Sequence, residues 1–157
     1  MAQISDAQNE HEIAAARGLF REYASELAID LCFQAFDQEL ASLPGNYAAP
    51  RGCLLLAWDE TRLAGCGALR PLDDCRSEMK RLYVRPAFRG RGIGRMLAER
   101  LITLAREAGY RSVYLDTLAS MPAASQLYKS LGFVETEPYY QNPLDGVSYL
   151  KLELGDG

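Results

Sequence analysis

Histidine is almost missing from this chain: among 157 residues only His11 is one. It falls in a stretch with amphipathic helical spacing, where a solvated helical position is the simplest reading. A Ser-His-Asp or Cys-His nucleophilic centre would have to rest on that residue alone, which argues against both. Cysteine is sparse as well. Cys32, Cys53, Cys66 and Cys75 form no C-x-x-C pair, and one histidine adds too little for a zinc site, so no metal is expected. Cys53 and Cys66 lie inside apolar runs, where a free thiol behaves as a small hydrophobe, so no disulfide framework is expected. No apolar run approaches the length of a membrane span. Met1–Asp6 has neither the basic start nor the apolar centre of a signal peptide. An excess of positive charge is also lacking, with 17 Lys and Arg against 21 Asp and Glu. That balance argues against a broad nucleic-acid footprint. The expectation is a single cytoplasmic domain over 1–157 that uses neither nucleic acid nor membrane as partner.

What the chain does carry is glycine in one telling place. Leu82-Tyr83-Val84 reads as the end of a strand, and Leu97, Leu101, Leu104 and Ala108 repeat at helical spacing until Gly109. Between them stands Arg89-Gly90-Arg91-Gly92-Ile93-Gly94. Glycines at a strand-to-helix junction let the backbone turn several N–H groups onto one small anion, and the helix N-terminus adds a favourable dipole. The pattern is not a Walker loop, because Arg95 and Met96 follow Gly94 where Lys and Ser or Thr are needed. Nor is it a dinucleotide fingerprint, since the third glycine of G-x-G-x-x-G would fall on Leu97. What remains is R-x-x-G-x-G.

That loop resembles the coenzyme A loop of the GNAT superfamily of acetyl-CoA-dependent N-acetyltransferases. Two further segments carry the resemblance. Glu78-Met79-Lys80-Arg81-Leu82-Tyr83-Val84-Arg85-Pro86 is similar to the family's central strand, and Ala124-Ser125-Gln126-Leu127-Tyr128-Lys129-Ser130-Leu131-Gly132-Phe133 to its A-x-x-L-Y-x-x-L-G-F helix end. The implied fold is α/β of the mixed kind: a largely antiparallel sheet of six to seven strands, splayed at a cofactor cleft and flanked by about four helices.

Sequence pattern fills in the elements. A strand is expected at Ala2–Ser5 and helices at about 7–28 and from Phe33 to Leu43. A hairpin is expected from Cys53–Trp58 and Leu63–Leu69, then a strand at Glu78–Val84, the phosphate loop and its helix. A strand at Val113–Thr117, a helix at Pro122–Leu131 and strands at Phe133–Glu135 and Val147–Leu154 complete the order.

The resemblance also implies roles. Acetyl-CoA is the expected cosubstrate, its pantetheine arm bonded to backbone near Leu82, Tyr83 and Val84. Its pyrophosphate would sit on the amides of Gly90, Arg91, Gly92, Ile93 and Gly94, with Arg89, Arg91 and Arg95 adding charge. Glu78 is the candidate general base, acting directly or through water, and Tyr128 the candidate acid for the leaving thiolate. Met121 stands where many members carry Asn, so the resemblance implies that this contact is either absent or supplied by another residue, Ser120 or Ser125. Phe33, Phe36 and Asp37 on one side and Tyr139, Tyr140, Gln141 and Asn142 on the other are expected to wall the acceptor site. The expected reaction moves an acetyl group onto a primary amine of a small molecule, amino acid or short peptide. A non-catalytic acyl-CoA-binding module and a protein N-terminal or lysine acetyltransferase are the alternatives. A homodimer is compatible with either.

Overall fold

The run Cys53-Leu54-Leu55-Leu56 is apolar at every position because its strand is buried on both faces. The computed structural model describes residues 2–27 and 35–155. Its elements are β1 (Ala2–Asp6), α1 (Glu10–Leu27), α2 (Phe36–Ser42), β2 (Cys53–Asp59), β3 (Arg62–Pro71), β4 (Arg76–Val84), α3 (Ile93–Glu107), β5 (Ser112–Leu118), α4 (Pro122–Ser130), β6 (Val134–Glu135) and β7 (Val147–Glu153). The seven strands form one sheet in the order β1-β2-β3-β4-β5-β7-β6. Every neighbouring pair is antiparallel except β4 with β5.

Helices cover both faces. On one, Leu55, Leu69, Met79, Val113 and Leu150 pack with Leu97, Leu101 and Ala105 of α3. On the other, Leu54, Leu56, Cys66 and Ala68 pack with Leu19 and Phe20 of α1 and Phe36 and Leu40 of α2. Fully burying a leucine contributes about 1.5–3 kcal/mol, so these two stripes hold the helices on the sheet. The start of α1 is set by a reciprocal cap. Glu12 N–H donates to Asn9 Oδ1 at 2.8 Å, and Asn9 N–H donates to Glu12 Oε1 at 3.1 Å.

Two features shape what lies at the sheet's centre. The first is the short ladder between β4 and β5, which runs only over Arg76–Ser112, Ser77–Val113 and Glu78–Tyr114. Beyond it β4 stays with β3 and β5 with β7, so the strands part and leave a wedge. The second is a bulge in β4, where the register jumps between Cys66–Tyr83 and Ala68–Lys80. Arg81 takes a left-handed φ of 60° there. A bulge puts two successive side chains on one face, here Lys80 and Arg81 on the side of α2, and turns Leu82 and Val84 to the α3 side. Arg81 is held in that strained conformation by a two-point ion pair with Glu39, at 2.9 and 3.0 Å. Gly65 makes the close approach possible: a Cβ there would lie 2.5 Å from the Tyr83 carbonyl oxygen.

Candidate functional site

The wedge is a cleft of about 590 Å³ between the sheet, α1, α3 and α4. Leu82, Tyr83 and Val84 form one wall, and Met121, Ala124, Leu127 and Tyr128 face them. At its mouth lie Arg89, Gly90, Gly92, Ile93 and Gly94. Gly90 and Gly92 have φ of 80° and 79°, the left-handed region in which glycine carries no steric cost. Gly92 is the N-cap of α3 and brings no side chain, and among the described residues no side-chain oxygen caps the first turn. The N–H groups of that turn are therefore open to an anion, with the helix dipole behind them. Backbone donors at one end, an apolar trough and a β4 edge past Glu78 that is free of β5 together suit a long cofactor with a phosphate end and an amide-bearing arm.

The arginines are placed differently from the expected direct charge contacts. Arg89 donates through Nε to the Val84 carbonyl at 2.9 Å and through Nη2 to Glu26 at 2.7 Å. Arg91 donates to Asp59 at 2.9 Å, and Arg95 to Ser130 Oγ at 2.5 Å. These contacts brace the loop from α1, from the β2–β3 turn and from α4. Arg91 and Arg95 do not border the cleft, and neither does Ser125; Ser120 and Met121 do. Exposed pairs of this kind contribute about 0–1 kcal/mol each, so an incoming pyrophosphate competes with weak holds.

Tyr128 lies at the inner end of the cleft, buried against Phe133 with ring centroids 5.8 Å apart. Burial, with Tyr23 and Asp116 nearby, pushes its phenol well above the usual tyrosine range, so it stays protonated.

Glu78 is buried to 1% exposure and does not border the cleft. It lies on the α2 side of β4, with Oε1 accepting from Arg70 Nε at 2.7 Å and Oε2 from the Tyr139 hydroxyl at 2.6 Å. Burial works to lower the Arg70 pKa, and the Glu78 carboxylate, with Tyr47 and Glu39 nearby, more than offsets it, so the guanidinium stays charged. Lys80, two residues on and on the same face, is buried enough that its ammonium pKa is pressed down to about 8.

The expected acceptor walls divide. Tyr139 and Tyr140 do not frame an open cage; with Tyr114 and Tyr149 they make one packed cluster, with centroid distances of 5.2 to 5.8 Å. Their hydroxyls close onto two strand carboxylates, Tyr139 onto Glu78 and Tyr140 onto Asp116. Burial and the adjoining carboxylate raise both phenol pKa values far above the usual range. Asn142 Nδ2 also donates to Asp116, at 3.1 Å. Phe36 is a core residue beneath the Arg81 guanidinium, 5.1 Å from its ring centroid. Asp37 is exposed and borders neither this cleft nor the small polar hollow beside it between β4 and β5. Phe33 lies outside the described residues. The residues that sequence reasoning passed over are Asp116 and Thr117. The alternation of Val113-Tyr114-Leu115-Asp116 does put Tyr114 and Asp116 on one face, but nothing local says that the face meets a site.

Comparison with known proteins agrees with this geometry. The sequence profile of the acetyltransferase (GNAT) family matches residues 13–133. An uncharacterized N-acetyltransferase of Schizosaccharomyces pombe is 46% identical over 139 residues, spanning 87% of this chain and 85% of that protein. N-acetylaspartate synthetase of Danio rerio is 33% identical over 136 residues, covering 83% of this chain and 47% of that protein. Among solved structures, YncA of Salmonella typhimurium with its cofactor acetyl-CoA superposes with a TM-score of 0.78 at 20% identity, covering 100% of this chain and 96% of that one. A family match over most of the sequence, a close relative matched along most of its length, and a wedge of this shape together place the chain in the GNAT family of acetyltransferases, enzymes whose acyl donor is acetyl-CoA.

Proposed function

We propose that this protein transfers an acetyl group from acetyl-CoA to the primary amine of a small molecule, amino acid or short peptide, by direct attack while donor and acceptor are both bound. The observation that carries the reading is the continuity of the wedge. The glycine loop at one end suits a pyrophosphate, and the same cleft ends at Tyr128, where it meets a polar hollow between β4 and β5. Bound acetyl-CoA supplies an activated thioester, so holding an amine beside it accounts for much of the acceleration.

The chain's own groups divide the remaining work. The amides of Gly90 to Gly94 hold the phosphate end, and the apolar walls shut water from the arm. The Tyr128 phenol, kept protonated by burial, donates to the sulfur as the thiolate leaves. Glu78 borders neither the cleft nor the hollow, so as the base it acts through intervening groups or water, with the Tyr139 phenol hydrogen-bonded to its Oε2. The relationship to N-acetylaspartate synthetase favours an amino acid among possible acceptors.

The test is mass-spectrometric detection of acetylated product from purified protein, acetyl-CoA and a broad panel of amines, amino acids and peptides, with Glu78→Gln alongside. Product that depends on Glu78 supports the reading. Tight acetyl-CoA binding with no product across the panel would reduce the chain to a binding module.

A further inference from the structure

Just past the last rung of the β4–β5 ladder, the strands enclose a hollow of about 50 Å³. It is room for a small head group and not for a cofactor. Tyr128, Leu82, Met121, Tyr23 and Leu27 border both this hollow and the donor cleft, so an occupant lies against the reacting end of the donor.

The hollow carries opposite charges on its two strands: Lys80 enters from β4, and Asp116 from β5. Both bonds that Asp116 accepts, from Tyr140 and Asn142, fall on Oδ2. Among the described residues no hydrogen bond reaches its Oδ1. Beside it, Thr117 Oγ1 is buried with no hydrogen-bond partner among the described residues. A stranded buried hydroxyl costs about 1–3 kcal/mol, which a hydrogen bond from a ligand would recover.

We infer that this hollow receives the head group of the acceptor and selects a zwitterion, a free α-amino acid, with its ammonium on Asp116 and its α-carboxylate on Lys80. The inference rests on the acetyl-transfer reading above and narrows its acceptor. A plain amine satisfies Asp116 but brings no anion to the Lys80 side of the hollow. An α-amino acid brings that anion one carbon away. A peptide N-terminus, whose carboxyl is an amide, does not.

The surroundings of Lys80 support this. Glu78 and Arg81 on its own strand, Arg70 on β3 and Asp116 on β5 all act on it, and burial outweighs them to lower its pKa to about 8. A carboxylate seated beside the ammonium would offset that burial.

The experiment uses full-length protein saturated with CoA for binding, and with acetyl-CoA for turnover. The ligands are the protein amino acids as a set and the amines made by removing their α-carboxyl group. Binding is read by calorimetry and transfer by product mass. For the accepted side chain, the amino acid is expected to bind at least tenfold tighter than its amine, with kcat/KM at least tenfold higher. Lys80→Met is expected to bring that ratio within twofold, and Asp116→Asn to abolish binding of both; Lys80→Gln replaces the first should it fail to fold. Equal handling of amino acids and amines, a ratio untouched by Lys80→Met, or no binding of any amino acid would each overturn the inference. Selective amino-acid binding without acetylated product would leave the zwitterion site standing and remove the acetyl-transfer reading instead. Acetylation of the amines alone would do the reverse.

Discussion

The two halves of the wedge are built by different means. The donor half is largely backbone: glycines at 90 and 92 in left-handed conformations, an uncapped helix start, and a strand edge left open where β4 parts from β5. The half proposed to take the acceptor is almost wholly side chain. Arg70 from β3, Glu78 and Lys80 from β4, Asp116 from β5, Glu39 from α2 and Tyr139 to Asn142 from a late loop meet on one face. Backbone recognition suits a cofactor shared by a whole family, because it survives change at most side chains. Side-chain recognition suits an acceptor that differs from member to member.

The sharpest way to break this division is at Glu78, whose carboxylate holds both Arg70 and Tyr139. Glu78→Gln leaves Arg70 without its charge partner, and removing one member of a buried pair costs about 3–5 kcal/mol. With Arg70 33% exposed, a loss of about 3 kcal/mol is expected from urea unfolding, together with most of the acetyl-transfer activity. Full activity in a stable Glu78→Gln protein would take Glu78 out of the proton path.

Gly92→Val probes the other half. A β-branched residue at positive φ costs roughly 1–3 kcal/mol, so acetyl-CoA affinity is expected to fall about 30-fold while acceptor KM at saturating donor stays constant. A change in acceptor KM instead would show that the halves are not separable.

Tyr128 lies on their boundary. Tyr128→Phe keeps the packing on Phe133 and removes the hydroxyl. Because a thiolate leaves readily, kcat is expected to fall only about tenfold, at the weak end of general acid catalysis, with acetyl-CoA binding unchanged.

A smaller effect follows from Lys80. Its pKa is about 8 in the fold and 10.5 in its ordinary state, so between those values the unfolded chain binds more protons. Stability therefore rises with pH across that window, by at most about 1.4 kcal/mol per pH unit. Below pH 8 both states are protonated and the burial penalty is present in full. Urea midpoints for wild type and Lys80→Met from pH 7.5 to about 10 check this, since the variant should lose the slope. The smallest effect is expected from Arg91→Ala. Its ion pair with Asp59 is half-exposed, so a stability change within about 1 kcal/mol and a weak, salt-sensitive rise in acetyl-CoA KM are anticipated.

Much of the fold was legible because its signals are local. The double-sided burial of β2, the helical stripe of α3 and the glycine caps can each be read within a window of ten to fifteen residues. The glycine turn before α3 was legible for the same reason, since Arg89 to Gly94 carries both its turn chemistry and its helix start. The arginine contacts were not, because Glu26, Asp59 and Ser130 reach the loop from three other elements. Glu78 shows the limit most clearly. Sequence put it on the central strand, but its partners, Arg70 and Tyr139, lie on β3 and on a loop 61 positions away.

By itself, then, the sequence determined the order of elements, the glycine loop and the placing of Glu78 and Tyr128 on named elements, because hydrophobic period and turn chemistry act between near neighbours. Only the tertiary structure decided that β4 and β5 part after Glu78, that a bulge turns Lys80 and Arg81 to one side, and that Asp116 and Thr117 face a hollow. Those outcomes depend on strand pairing and on charges meeting across the sheet, and such forces act between residues far apart in the chain.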